Sequence, residues 1–360
     1  MTITLIAAVV LLLAWANGAN DVSKGIASLV GGGVTQARRA LWWGTLWTVM
    51  GGLTAVVLGA AMVHTFSSGL LRPETHLSLG FLLAALCGAV VWVLGATRFG
   101  LPVSTTHALL GGLVGATLAA TGPQGLLARS LLGKIALPLL VSPLVAILLC
   151  SGVLWLAHRL VRQVPIRRAD CCSEAEWRAD PFLCATPASR PTPPRVRRRW
   201  AALHWMSAAA ISFARALNDV PKIAAVLIMG LALSPGAPPG LPMAGAAGAI
   251  IAVTVAMGLG GLWGGRTVLH VLAHRVAPLD AYTGLVANLC TSSLVLLASP
   301  LGLPVSTTHV STGALLGVRW NTGQQPAGGD ALKGVLYGWL VTFPVAGLIS
   351  AGAVALSRLT

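Results

Sequence analysis

The chain has 360 residues and a formal net charge of +15, yet only 9% of its residues are charged and 56% are hydrophobic. Soluble domains carry about 25% charged residues, so this chain lacks the charge to cover a water-facing surface, and its mean hydropathy of +0.81 agrees. An excess of basic residues in a soluble chain would suggest nucleic acid. Here that class is excluded, because the basic residues gather in connections between apolar runs.

A bilayer-crossing helix needs roughly 20 apolar residues. Residues 40–71, 99–128, 135–158, 223–265 and 281–318 contain no Asp, Glu, Lys or Arg, so several of these runs hold a crossing and the longest can hold two. Taken in order, residues 1–19 are apolar without the basic leader of a signal peptide and read as the start of a retained membrane helix over about 3–36. Asn17-Gly18-Ala19-Asn20 is predicted to break that helix, freeing backbone groups for ions. Further crossings are predicted at about 41–63, 77–97, 100–120 and 135–157. Pro102 stops the segment before it, and Ser104 stands where an N-cap of the next would lie.

Residues 159–200 form a basic loop with Arg167, Arg168, Arg190, Arg195, Arg197, Arg198 and Arg199, and Lys/Arg-rich loops mark the cytoplasmic side. Cys171, Cys172 and Cys184 share that loop, where the compartment is reducing and their spacing matches no standard zinc pattern. Cys87, Cys150 and Cys290 lie in apolar runs and read as packing residues.

Beyond the loop the chain repeats itself. Gly-Leu-Pro-Val-Ser-Thr-Thr-His at 100–107 recurs at 302–309, an offset of 202, and Gly111 and Gly115 return as Gly313 and Gly317. Asn20-Asp21-Val22-x-Lys24 recurs as Asn218-Asp219-Val220-x-Lys222, an offset of 198. Two motifs in the same order make a duplication, giving a first transmembrane repeat at 1–158, the basic loop at 159–200 and a second repeat at 201–360. Reading 100–120 as a re-entrant hairpin would put the Arg-rich loop outside, against the charge bias, so five crossings per half are predicted. An odd number inverts the second half. The expected fold is an all-α polytopic membrane protein of two inverted-topology repeats, with broken helices and Ser-Thr-Thr segments at the midplane, as in secondary transporters.

Of nine acidic residues, Asp21 and Asp219 are the two that fall inside predicted membrane segments. An ionised group there costs at least roughly 2.5–3.5 kcal/mol on insertion scales, so it marks function. A structural ion pair with Lys24 or Lys222, one helical turn away, is the plainer explanation for one copy; duplication beside Asn20 and Asn218 favours a site. Ser104, Thr105, Thr106 and Ser306, Thr307, Thr308 place hydroxyl donors at predicted helix N-termini, a setting suited to an oxyanion. Helix–helix hydrogen bonding is the plainer alternative for these residues. His107 and His309 read as donors behind the site, proton carriers or satisfied core residues.

These segments resemble the inorganic phosphate transporter family (PiT-type permeases), whose signatures match Gly18-Ala19-Asn20-Asp21-Val22, Leu217-Asn218-Asp219-Val220, Pro102 to His107 and Pro304 to His309. The resemblance implies cation-coupled phosphate uptake across the cytoplasmic membrane by a homodimer. It also implies sodium at Asn20, Asp21, Asn218 and Asp219, the oxyanion on the Ser-Thr-Thr triplets, and no organic cofactor. Some relatives carry sulfate, which is the alternative substrate. The family usually continues Asn-Asp-x-x-Asn, whereas this chain has Lys24 and Lys222 there. A lysine ammonium can occupy the place of a bound sodium ion, so coupling to protons is favoured over sodium, with both lysines neutralising the aspartates or touching the anion. An intramembrane hydrolase using Ser104 or Ser306 with a nearby histidine lacks a third orienting group, so no enzymatic activity is expected. A channel-like or sensor role would be separated from a carrier by counterflow exchange.

Overall fold

The computed structural model describes residues 2–72, 78–160, 194–234, 236, 243–273, 281–322 and 329–358. Most of the predicted basic loop, with Cys171, Cys172 and Cys184, lies outside the described residues, as do Glu74 and Asp280, but its last residues, 194–200, are helical and open the second half. The first half comprises α1 (Thr2–Gly31), α2 (Ala37–Leu58), α3 (Ala60–Ser67), α4 (Leu79–Arg98) and α5 (Thr105–Thr121). A single turn, α6 (Ala128–Ser130), then runs through a π-helical stretch, Leu131–Ala136, into α7 (Leu137–Leu160). The second half repeats the order with α8 (Pro194–Ala232), α9 (Met243–Gly264), α10 (Arg266–Val271), α11 (Ala281–Ala298), α12 (Thr307–Thr322) and α13 (Gly329–Ser357). Among the described residues, seven helices are long and apolar enough to cross a bilayer.

The predicted break at 17–20 does not occur, since α1 is helical from Thr2 to Gly31 and α8 runs through Pro221. Gly18 serves packing instead. A Cβ there would overlap the Met257 carbonyl of α9, and one at Gly260 would overlap the Trp15 carbonyl of α1. Small residues of this kind let membrane helices approach to backbone contact.

Residues 79–121 form a helical hairpin, α4 packing on α5, and α4 is among the helices long enough to cross. Gly100, at φ +71°, ends α4: Gly100 N–H donates to the Thr97 carbonyl at 3.0 Å and Leu101 N–H to the Ala96 carbonyl at 2.9 Å. That is a Schellman end, which needs the left-handed conformation glycine adopts freely. Gly302, at φ +66°, repeats it with Gly302 N–H to Ser299 and Leu303 N–H to Ala298. Glycine therefore stops each segment, and the proline two residues later keeps the chain extended. At its open end the hairpin is tied to the end of α3 by a bridge between Leu71 and Leu126, while its tip lies against Asn20, well inside α1. A hairpin and a pair of crossings both return the chain to the side it left, so the parity of each half is the same under either description.

The halves interlock. α5 packs on α13 and α12 on α7, while α1 packs on α9 and α2 on α8. The repeated glycines make two of these contacts: Gly111 and Gly115 face the Phe343 and Gly347 carbonyls, and Gly313 and Gly317 face those of Pro143 and Ile147. The largest apolar core, containing Ile6, Leu82, Leu86, Leu109, Leu113 and Val226, runs between these bundles.

Candidate functional site

The two hairpin tips meet at the centre of the molecule. Ser104 caps α5, its Oγ accepting from His107 N–H at 3.2 Å, and Ser306 caps α12 by accepting from His309 N–H at 3.3 Å. Ser306 Oγ in turn donates to Ser104 Oγ at 2.9 Å. Two helix N-termini, each with a partial positive charge, thus point at one another. All six hydroxyl residues, Ser104, Thr105, Thr106, Ser306, Thr307 and Thr308, are buried.

α1 and α8 bring the Asn-Asp-x-x-Lys motifs to these tips. Lys222 Nζ donates to Asp219 Oδ1 at 3.1 Å, to the Val305 carbonyl at 3.0 Å and to Thr106 Oγ1 at 2.9 Å. Lys24 repeats the pattern with Asp21 Oδ1, Thr308 Oγ1 and, at 2.9 Å, the Val103 carbonyl. Each lysine therefore pairs with its own aspartate and reaches a threonine of the opposite half. A carboxylate, a carbonyl and a hydroxyl converging on one point is an oxygen set suited to a hard cation. Here an ammonium fills it twice.

The asparagines hold the hairpin tips. Asn20 Nδ2 donates to Thr97 Oγ1 at 3.0 Å and to the Leu101 carbonyl at 2.9 Å, while its Oδ1 accepts from Val103 N–H at 3.1 Å. Its polar groups are engaged in holding the first tip. Asn218 holds the second, donating to the Val305 carbonyl at 3.0 Å and accepting from Ser299 Oγ at 3.4 Å. Asn20→Ala should lower stability by about 1–3 kcal/mol, because buried groups lose partners. It should also weaken anion binding, because the Val103 loop carries Lys24's acceptor; thermal unfolding and isothermal titration of the purified variant check both.

Arg215 completes the site and is missed when basic residues are assigned to connections. It is buried, with Nη1 donating to Asn17 Oδ1 at 3.2 Å and Nη2 to Thr48 Oγ1 at 2.7 Å, and Asn17 Nδ2 passes the contact on to Asp21 Oδ2 at 3.3 Å. The available signal was its place four residues before Asp219, where the first repeat has Asn17. Among the described residues, the buried charged side chains are Lys24, Lys222 and Arg215 against Asp21 and Asp219. Three cations and two carboxylates leave one surplus positive charge beside two helix N-termini. Burying such a charge is costly unless an anion or another partner compensates it. Asp219 Oδ2 and Thr105 Oγ1 are buried and unpartnered here, leaving one acceptor and one donor open to a ligand.

His107 and His309 sit behind the tips. His107 Nδ1 is 2.8 Å from Ser104 Oγ, the two imidazoles lie 4.4 Å apart, and the His309 ring lies 4.1 Å from that of Trp339, tilted by 50°. Of the two rings, His107 touches the capping serine of its own helix directly.

The chain matches the phosphate transporter family over residues 17–350. It is 29% identical over 339 residues to a probable low-affinity inorganic phosphate transporter of Mycobacterium bovis, covering 93% of this chain and 72% of that one. A protein of the same description from Rhizobium meliloti is 29% identical, with 96% and 93% covered. A solved sodium-dependent phosphate transporter superposes with a TM-score of 0.83 at 25% identity, covering 100% of both chains.

Proposed function

From the premise that the chain belongs to the phosphate transporter family, we propose that this multi-pass membrane protein carries inorganic phosphate by a proton-coupled secondary mechanism. The relatives are described as phosphate transporters, which disfavours the sulfate alternative. The observation that carries the substrate reading is the joined pair of Ser104- and Ser306-capped N-termini beside a surplus buried cation. Phosphate can accept from the hydroxyls and lysines and donate its P–OH to a carboxylate such as Asp219, whose Oδ2 is open.

The coupling reading rests on the lysines. A solved relative is sodium-dependent, but in this chain the carboxylate–carbonyl–hydroxyl cages hold Lys24 and Lys222 Nζ. An ammonium tethered in each cage competes with a free alkali ion at very high effective concentration. Proteoliposome uptake of labelled phosphate should respond to an inward pH gradient and change less than twofold when sodium replaces choline. The Lys24→Asn, Lys222→Asn double variant should gain sodium dependence. Strict sodium dependence of the unaltered protein, with no response to a pH gradient, would overturn the coupling reading. Competition by sulfate as strong as by phosphate would overturn the substrate reading.

A further inference from the structure

A second set of polar side chains is buried between α1, α8 and α11, away from the hairpin tips. His204 Nε2 lies 2.9 Å from Ser28 Oγ. Asn288 Nδ2 donates to Ser28 Oγ at 3.1 Å, to Ser207 Oγ at 3.3 Å and to the Gly25 carbonyl at 3.5 Å. Ser207 Oγ donates to the His204 carbonyl at 2.8 Å. The imidazole is 0% exposed, and its Nδ1 is buried without a hydrogen-bond partner. On the α11 side Gly284 leaves room for it, since a Cβ there would lie 2.8 Å from His204 Cε1.

The duplication supplies an internal control. Along α1 and α8 the offset is 198, so His204 corresponds to Ile6 and Ser28 to Val226. Along α4 and α11 it is 202, so Asn288 corresponds to Leu86. Ile6, Val226 and Leu86 are all fully buried in the apolar core. The architecture is therefore built with hydrocarbon at these positions once, and polar groups buried there must be matched by hydrogen bonds to be tolerated. The polar version occurs on one side alone, with one ring nitrogen left open.

We propose that His204 is a proton-binding residue of the transport cycle, linked to the anion site through Ser28 and the turn of α1 that carries Lys24. The proposal rests on the proton-coupled reading above. The ring takes a proton from water to become imidazolium as the site loads, and returns it when the anion leaves. Imidazolium only donates, and Ser28 Oγ accepts from its Nε2–H. The ring itself meets Ser28 of α1 and the Gly284 backbone of α11, while Asn288 bridges Ser28 to Ser207, which donates to the His204 carbonyl. The nearest charged residues along these helices are Lys24, one turn before Ser28, and the exposed Arg199 before His204. Tyr282 of α11 packs on Trp200.

The linkage follows from charge. With the site empty, its surplus cation disfavours imidazolium; with an anion bound, that penalty is removed. One helical turn plus a hydrogen bond is roughly 10 Å, where a unit charge changes proton affinity on the order of tenfold at an effective dielectric near 20. Reciprocity requires the proton to raise anion affinity by the same factor.

The test is phosphate transport in sodium-free proteoliposomes. In His204→Gln the ratio of pH-gradient-driven uptake to counterflow exchange should fall at least tenfold, and the pH dependence of KM should flatten. A wild-type ratio in that variant overturns the proposal while leaving proton coupling intact. No pH-gradient response in the unaltered protein overturns proton coupling, and the proposal falls with it. Where His204→Gln does not fold, Ser28→Ala decides: a shifted KM–pH profile supports the linkage, and an unchanged one overturns it.

Discussion

Lys222→Met is expected to abolish phosphate uptake, with a loss of more than a hundredfold, and to destabilise the protein by about 3–5 kcal/mol. The methionine keeps much of the side chain's volume but leaves Asp219 without its cation, and breaking one partner of a buried pair costs about that much. It also leaves Thr106 Oγ1 without its donor and the Val305 carbonyl with Asn218 Nδ2 alone, so the α8 contact to the first hairpin is lost. The double variant Asp219→Asn, Lys222→Met separates the two effects, because replacing both members of a buried pair can be nearly neutral for stability. Its thermal midpoint should recover while transport does not, since the site then lacks both charges. Wild-type uptake by Lys222→Met would remove Lys222 from the site.

Gly115→Ala should be the most damaging single-methyl change among the glycines of α5. Its Cβ would overlap the carbonyl group of Gly347, so no rotamer relieves the clash and α5 must move away from α13. Overpacking of a close-packed interior costs about 1–3 kcal/mol, and here the displaced helix also carries Thr105 and Thr106 at its N-terminus. Thermal unfolding of detergent-purified protein should show a lowered midpoint, and uptake should fall at least tenfold. Gly152→Ala is the control: nothing lies within 4 Å of its Cβ position, so neither quantity should change. Equal behaviour of the two variants would refute the close-approach role of Gly115.

Much of the site is legible in the duplicated motifs. Ser104, Ser306, Asp21, Asp219, Lys24 and Lys222 converge because each repeat carries the same cap and the same acidic turn. Their charges in an apolar chain need one another to be buried. Other features depend on partners remote in sequence. That Asn20 holds the first tip shows only when Thr97, Leu101 and Val103 are found around its amide. Asn17-Gly18 reads as a break until α9 is found pressed against Gly18. Arg215 reads as one more basic residue until Asn17 and Thr48 close around it.

The membrane class, the duplicated motifs, the hydroxyl caps and the paired charges are all readable from the residues alone. These follow from composition, spacing and local propensity, which act over a few residues. Packing across the chain settles the rest: glycine-lined faces interlock the halves, α1 stays helical through its asparagines, and each lysine reaches a threonine in the other half. Those outcomes depend on helix–helix contact, in which a missing Cβ or a buried carbonyl has its effect on a residue tens to hundreds of positions away.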